Sequence, residues 1–179
     1  MRIFGLKKRN YLRNTERCEQ PCIGKMINGQ ALGAVSKLRY GLCPMSFNGC
    51  EVIAVHNALI HAGNPRPLAE IALYMERYKL FFGIFGCNPY RIGRALEHFG
   101  TDCRRTPNAD SAQAFIITFW TGRPFLSSIH TVFCVRESNC VRVYNQYNTS
   151  ADSTVYPTVS DIAGTRRPIV VYEVSYNIR

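Results

Sequence analysis

The sequence lacks any run of about 18 consecutive apolar residues, the length that a helix needs to cross a bilayer, so we expect no membrane-spanning segment. It also lacks a secretory signal, because a short apolar run precedes the charges of Lys7, Lys8 and Arg9, whereas a signal peptide has the opposite order. We therefore expect a cytoplasmic protein. In a reducing compartment most of the eight cysteines would be free thiols, and we predict no disulfide on which the fold depends.

Metal-ligand clusters are also lacking. The chain has four histidines, and Cys18 and Cys22 have a loose metal-ligand spacing. No second close pair of cysteines or histidines completes a zinc site. We therefore expect no metal and no other cofactor.

Acidic residues are few, with 12 Asp and Glu against 22 Lys and Arg, which gives a net charge of +10. The first 40 residues hold only Glu16 and Glu19 against nine basic residues. A basic segment of this kind could touch nucleic acid, an acidic lipid or an acidic protein, or it could be a solvated tail or a wrap around the domain. We favour the tail or wrap, because no aromatic-interleaved nucleic-acid motif accompanies the charge. We expect residues 1–40 to form a basic, irregular N-terminal arm, and we do not expect nucleic acid as a partner.

Regular apolar patterns begin after residue 40. Asn48 as N-cap and Gly63 as a C-terminal stop bound a first helix that is apolar on most sides and should lie in the middle of the domain. A second helix is predicted over 67–78. A third is predicted to have Asn88 as its cap, to begin at Pro89 and to end at residues 98–100. The apolar loop 80–87 between them could line a subsite for a hydrophobic or glycine-containing peptide, or it could plug the core between two helices.

The pattern changes to β-strands after residue 110. Strands are predicted over 114–120, 130–136, 140–145 and 168–176, and the second and third of these should form a hairpin. Helices first and antiparallel strands later indicate an α+β domain over residues 41–179.

Cys50 is the candidate nucleophile, because it lies at the start of the first predicted helix. There, unpaired backbone N–H groups and the helix dipole stabilise a thiolate, and the backbone N–H of Cys50 can also serve an oxyanion hole. The alternative is a small buried hydrophobic residue, the commonest role of a free cysteine.

His130 is the candidate base. His56 and His61 lie farther along the same helix as Cys50 and cannot reach its sulfur while that helix persists. His98 falls in the last turn of a helix, where a cation suits the dipole, and this structural role is enough to explain it.

An orienting residue for His130 is expected on the neighbouring strand. Depending on the hairpin turn, Asn145 lies either diagonally from His130 or directly opposite it, and its amide oxygen could then accept from the imidazole. Gln146 and Asn148 are nearby substitutes, and a three-residue turn would favour Gln146.

This order of residues resembles papain-fold cysteine peptidases, and most closely the bacteriocin-leader (double-glycine) peptidase-like branch. The stretches that carry the resemblance are 48–54, 83–89 and 129–133, followed by 144–145. It covers roughly residues 40 to 175 as a pattern more than as identity. It implies a papain-like fold and a thiol-dependent peptidase or related acyl-transfer enzyme that acts on a peptide or protein substrate.

By this resemblance Cys50 is the nucleophile, His130 the base and Asn145 the orienting residue. Gly83, Phe85 and Gly86 are then candidates for substrate binding. The branch usually has glycine after the cysteine, where this chain has Glu51.

The branch uses a glutamine a few residues before the cysteine as the oxyanion donor. Gln30 is too distant in sequence to match it, so Asn48 becomes the candidate donor. Two alternatives to an enzyme stay open, namely a catalytically silent papain-like domain that binds a peptide, and a module whose basic arm recruits nucleic acid or an acidic partner.

Overall fold

The computed structural model describes residues 5–17, 24–122, 128–164 and 167–175. The helices in these ranges are α1 (Leu6–Arg17), α2 (Met45–Asn48), α3 (Cys50–His61), α4 (Leu68–Met75), α5 (Ile92–His98) and α6 (Val159–Ala163). The strands are β1 (Arg39–Tyr40), β2 (Cys43–Pro44), β3 (Cys103–Thr106), β4 (Ala114–Thr121), β5 (Ser128–Glu137), β6 (Cys140–Tyr144), β7 (Thr154–Tyr156) and β8 (Val170–Val174). Within the same ranges, no helix has the length and hydropathy needed to cross a bilayer.

An antiparallel sheet is the centre of the fold. Its six strands have the order β3-β8-β4-β5-β6-β7, while β1 and β2 pair separately. In the β5–β6 hairpin Glu137 pairs with Cys140, so Ser138 and Asn139 form a two-residue turn. The predicted α+β class is confirmed, as are the four predicted strands within a few residues at each end.

The two faces of this sheet carry two separate hydrophobic cores, because successive side chains of a strand point to opposite faces. On one face Ile116 and Phe133 pack against α3, α4 and α5. On the other face Ile117 and Val132 pack with Ile162 of α6.

Helix α3 lies in the middle of the larger core, as its apolar sequence predicted. Residues 50–59 are all buried, and the helix packs mainly on β5. The sequence of this helix is apolar on most sides because it is covered on most sides, by the sheet and by neighbouring helices.

The N-terminal residues differ from the expected irregular arm. Residues 6–17 form α1, which docks on β1 through two hydrogen bonds of 2.8 Å between the Asn14 side chain and the backbone of Arg39. Ile27 and Leu38 belong to the larger core. The described part of residues 5–40 is therefore integral to the domain. Periodicity missed α1 because two of its three buried residues are asparagines, Asn14 among them.

Candidate functional site

Cys50 is the first residue of α3, as predicted, but the residue that precedes the helix is different. Gly49 occupies the N-cap position, and Asn48 is the last residue of α2. The Asn48 side-chain amide donates to the carbonyl oxygens of Tyr40, at 3.1 Å, and of Gly83. Both N–H groups of the proposed oxyanion donor are thus directed at backbone carbonyls, where they fix the 80–87 loop next to β1.

The Cys50 thiol is enclosed, with 6% of the residue exposed. Its sulfur lies 3.3 Å from a carboxylate oxygen of Glu51. Burial first, and then the negative charge of Glu51, raise the pKa of the Cys50 thiol well above its ordinary value, although a backbone hydrogen bond from Thr131 acts in the opposite direction. Since the thiolate is the nucleophilic form, this environment opposes nucleophilic chemistry at Cys50.

Glu51 is a buried carboxyl group under the 80–87 loop. Burial raises its pKa to about 7, while hydrogen bonds from its own backbone N–H, the Cys50 thiol and the Cys87 backbone act in the opposite direction. One carboxyl oxygen, Oε1, has no hydrogen-bond partner among the described residues. The backbone of Gly86 covers this carboxyl so closely that a Cβ there would lie 3.0 Å from it. The backbone of Gly86, a substrate-binding candidate, therefore lies against the Glu51 carboxyl.

The structure does not bring the side chains of Cys50 and His130 together. Thr131, whose backbone bonds the Cys50 thiol, directs its hydroxyl to Thr118 at 2.9 Å on the face that α3 covers. His130 is the preceding residue of the same strand, so its side chain projects to the opposite face. There its ring meets that of Phe119 edge-on, with centroids 6.0 Å apart. The predicted catalytic dyad is therefore divided by the sheet.

The His130 imidazole is instead bonded to backbone. Its Nε2 donates to the carbonyl oxygen of Asn145 at 2.7 Å. Burial lowers the pKa of His130, and backbone hydrogen bonds to Asn145 and Gln146 act in the opposite direction. The buried His130 ring thus links the start of β5 to the residues that follow β6 through hydrogen bonds to the backbone.

Asn145 lies diagonally from His130, as the two-residue turn predicts, but its side chain serves another residue. Its Nδ2 donates to Oε1 of Gln30 at 3.1 Å, and its Oδ1 accepts from the backbone N–H of Gln30 at 3.0 Å. The Gln30 amide continues to the carbonyl of Ser46 at 3.1 Å. Gln30, which is 20 residues before Cys50 in sequence, is therefore brought to the segment that leads into α3. No periodicity in the sequence indicates this link.

The apolar loop, which we name the phenylalanine loop, is exposed. It comprises Leu80, Phe81, Phe82, Ile84 and Phe85, and each of these side chains is at least 38% exposed. Gly83 lies within it but is buried against Gly41. Of the three substrate-binding candidates, only Phe85 thus offers a side chain at the surface.

Three exposed arginines and one half-buried arginine form a second feature, which we name the arginine cluster: Arg9, Arg13, Arg17 and the half-buried Arg39. The first three recur every four residues and so share one side of α1. Repulsion from Arg17 first, then burial and the charges of Arg39 and Arg9, lowers the pKa of Arg13. Among the described residues, no carboxylate forms an ion pair with any of the four.

The other candidate sites give weaker support for a function. In the parts of the chain that the structure describes, no three His, Cys, Asp or Glu side chains come together as a metal site. Cys18 and Cys22 lie outside the described residues. Two surface concavities of about 500 and 400 Å³ are lined by residues around Arg105 and around Asn64, and neither includes Cys50 or His130.

Comparison with known proteins identifies no family for this chain. No family model, no curated protein and no solved structure matches the chain. A functional assignment therefore depends on the residues described above.

Proposed function

We propose that the protein is a papain-like domain that has a binding role and whose Cys50 site is catalytically silent. The observation that carries this proposal is the placement of Cys50 and His130 on opposite faces of the sheet. A thiol nucleophile needs a base within hydrogen-bond reach. Here the group next to the sulfur is the Glu51 carboxyl, whose charge favours the protonated thiol.

The binding surface in this proposal consists of the arginine cluster and the phenylalanine loop. The four arginines have no acidic partner in the described structure, so their charge is available to an acidic partner. The exposed aromatic side chains of the loop would add apolar contact, the kind of group that is enriched at binding surfaces. The protein in this proposal is therefore a folded domain that binds an acidic partner.

Thiol labelling tests whether the site is silent. In the folded protein at about pH 6 we expect iodoacetamide to modify Cys50 at least about tenfold more slowly than Cys43 or Cys140, because Cys50 is buried and its thiol is held protonated. Mass spectrometry of digested samples over a time course measures each rate. The denatured protein is the control, and there the three rates should converge. Labelling of Cys50 ahead of the other two in the folded protein would contradict the proposal.

A second candidate function is thiol-dependent peptidase or acyl-transfer activity, and one contact favours it. The Cys50 sulfur lies 3.3 Å from the Glu51 carboxyl, whose pKa of about 7 suits a general base near neutral pH. Once the 80–87 loop had uncovered the pair, Glu51 would take the thiol proton and the thiolate would attack a substrate carbonyl. The C–N bond would then break to leave an acyl-enzyme, and Glu51 would return the proton to the leaving amine.

A peptide-library cleavage assay tests this second function and identifies its base. Loss of cleavage in Cys50→Ala and Glu51→Gln, with activity kept in His130→Ala, would assign the base to Glu51. Loss in Cys50→Ala and His130→Ala, with Asn145→Ala less affected, would instead support the Cys50, His130 and Asn145 triad that the resemblance implies. No cleavage by the unaltered protein supports the silent domain.

A further inference from the structure

We propose that the arginine cluster and the phenylalanine loop together dock the domain on an anionic lipid bilayer. This inference rests on the proposed binding role and identifies the acidic partner. The arginines would contact lipid phosphates, and the loop would enter the boundary between headgroups and acyl chains.

The arginine cluster is electrostatically costly unless an anion neutralises it. Arg9, Arg13 and Arg17 are exposed and spaced four residues apart, and like charges at this spacing destabilise a helix. Arg39 extends the cluster from β1. Apposition to a negatively charged surface would relieve this repulsion.

The phenylalanine loop forms a single apolar tip. Residues 80–86 include no charged or hydrogen-bonding side chain. The Phe81 ring packs against those of Phe82 and Phe85, with centroids 6.2 and 5.7 Å apart. Phe81 and Phe82 have backbone φ angles of 46° and 57°, a region that bulky side chains rarely adopt. Strain of this kind is typical of segments with a function, and here the two strained residues carry large exposed apolar side chains.

The two features are held next to each other by the β1–β2 turn. Asn10 of α1 donates to the Gly41 carbonyl at 2.8 Å, and the backbone N–H of Leu42 donates to the carbonyl of Phe82 at 3.0 Å. Gly41 is left-handed, and a Cβ there would overlap the Phe82 carbonyl oxygen, so the loop approaches as closely as glycine allows. The basic helix and the apolar tip therefore contact adjacent residues of one turn.

The composition of the loop favours lipid over nucleic acid. Nucleic-acid binding uses separated aromatic rings on which bases stack, beside polar groups. In this loop the Phe81 ring packs on the rings of Phe82 and Phe85, and the loop also has aliphatic side chains. An apolar tip next to basic residues is the arrangement that binds an anionic membrane interface.

Vesicle co-sedimentation of the full chain tests the proposal, with phosphatidylcholine vesicles compared to vesicles that also contain about 30% phosphatidylserine. We expect at least tenfold tighter binding to the anionic vesicles, and weaker binding at high salt. The pair Arg13→Glu and Arg17→Glu should reduce binding at least tenfold, and so should the pair Phe81→Asp and Phe85→Asp. Arg91→Glu and Val155→Asp alter an exposed arginine and an exposed apolar residue elsewhere, and they should bind as the unaltered protein does. Circular dichroism checks the folding of each variant.

Different outcomes overturn different parts of the proposal. Equal binding to both vesicle types, or anionic binding that the phenylalanine changes leave intact, would overturn lipid docking. Binding to heparin or to an RNA oligonucleotide but to neither vesicle would overturn lipid docking and keep an acidic-partner role. No binding to vesicles, heparin or RNA would overturn the proposed binding role as well.

Discussion

Glu51→Gln should raise the free energy of unfolding by roughly 3 kcal/mol at about pH 8 and change it little at about pH 4. Burial raises the pKa of Glu51 from 4.5 to about 7 in the folded protein. Above pH 7 the folded state must hold a buried carboxylate, whereas the unfolded chain holds a hydrated one. Because each pKa unit corresponds to about 1.4 kcal/mol, the neutral amide removes a penalty of this size.

The sign of the pH dependence follows from the same pKa values. Between pH 4.5 and about 7 the folded protein binds more protons at Glu51 than the unfolded chain does, so the contribution of this residue to stability falls as pH rises through that window. Below the window both states are protonated, and above it the penalty is constant.

Urea denaturation of Glu51→Gln and of the unaltered protein across this pH range measures the difference. Glu97→Gln is the matched control, because the Glu97 side chain is 55% exposed, and it should show no such pH-dependent gain. If the difference between Glu51→Gln and the unaltered protein did not vary with pH, the Glu51 carboxyl would be hydrated, and the site at the start of α3 would be open.

Asn145→Ala should lower the free energy of unfolding by about 3 kcal/mol. Its amide makes two hydrogen bonds with Gln30, and both residues are at most 2% exposed. Removing the amide leaves buried polar atoms of Gln30 unpaired, at a cost of about 1–3 kcal/mol. Asn145 also has φ of 62°, where alanine is disfavoured by about 1–2 kcal/mol.

Two further variants separate these causes. Asn145→Gly removes the amide and tolerates the left-handed backbone, so it should cost less than Asn145→Ala, by about 1 kcal/mol. In a double-mutant cycle with Gln30→Ala, the second substitution should cost less than it does alone, because the shared hydrogen bonds are already lost. Additive losses from urea unfolding would show that the Gln30–Asn145 pair is not a unit.

Local signals in the sequence predicted much of the fold. Asn88 caps the short 3₁₀ turn Pro89–Arg91 that leads into α5, and its side chain accepts from the Tyr90 backbone N–H at 3.0 Å. Strand β4 follows its β-branched and aromatic pattern. Such elements are specified by residues close together in sequence. The short strands β3 and β7 were missed, because four- and three-residue strands depend on the neighbour with which they pair.

The candidate site was less predictable, because it depends on which face of the sheet α3 covers. Hairpin register correctly related His130 to Asn145, which is a relation between neighbouring strands. It carried no information on the packing of α3, and that packing separates Cys50 from His130. The role of Gln30 depends on a contact across 115 residues of chain, for which the sequence offers no local signal.

The alternation along β5 has a consequence for the face of the sheet on which His130 lies. A single inserted residue that formed a β-bulge just before Thr131 would re-aim His130 towards Cys50 without any change of residue type, and bulges often serve this purpose beside active sites. His130 would then lie on the same face as Thr131, while Glu51 would still lie beside the Cys50 sulfur and Asn145 would still bond Gln30. The face of the sheet that receives the imidazole would thus depend on the number of residues in β5 and not on their types.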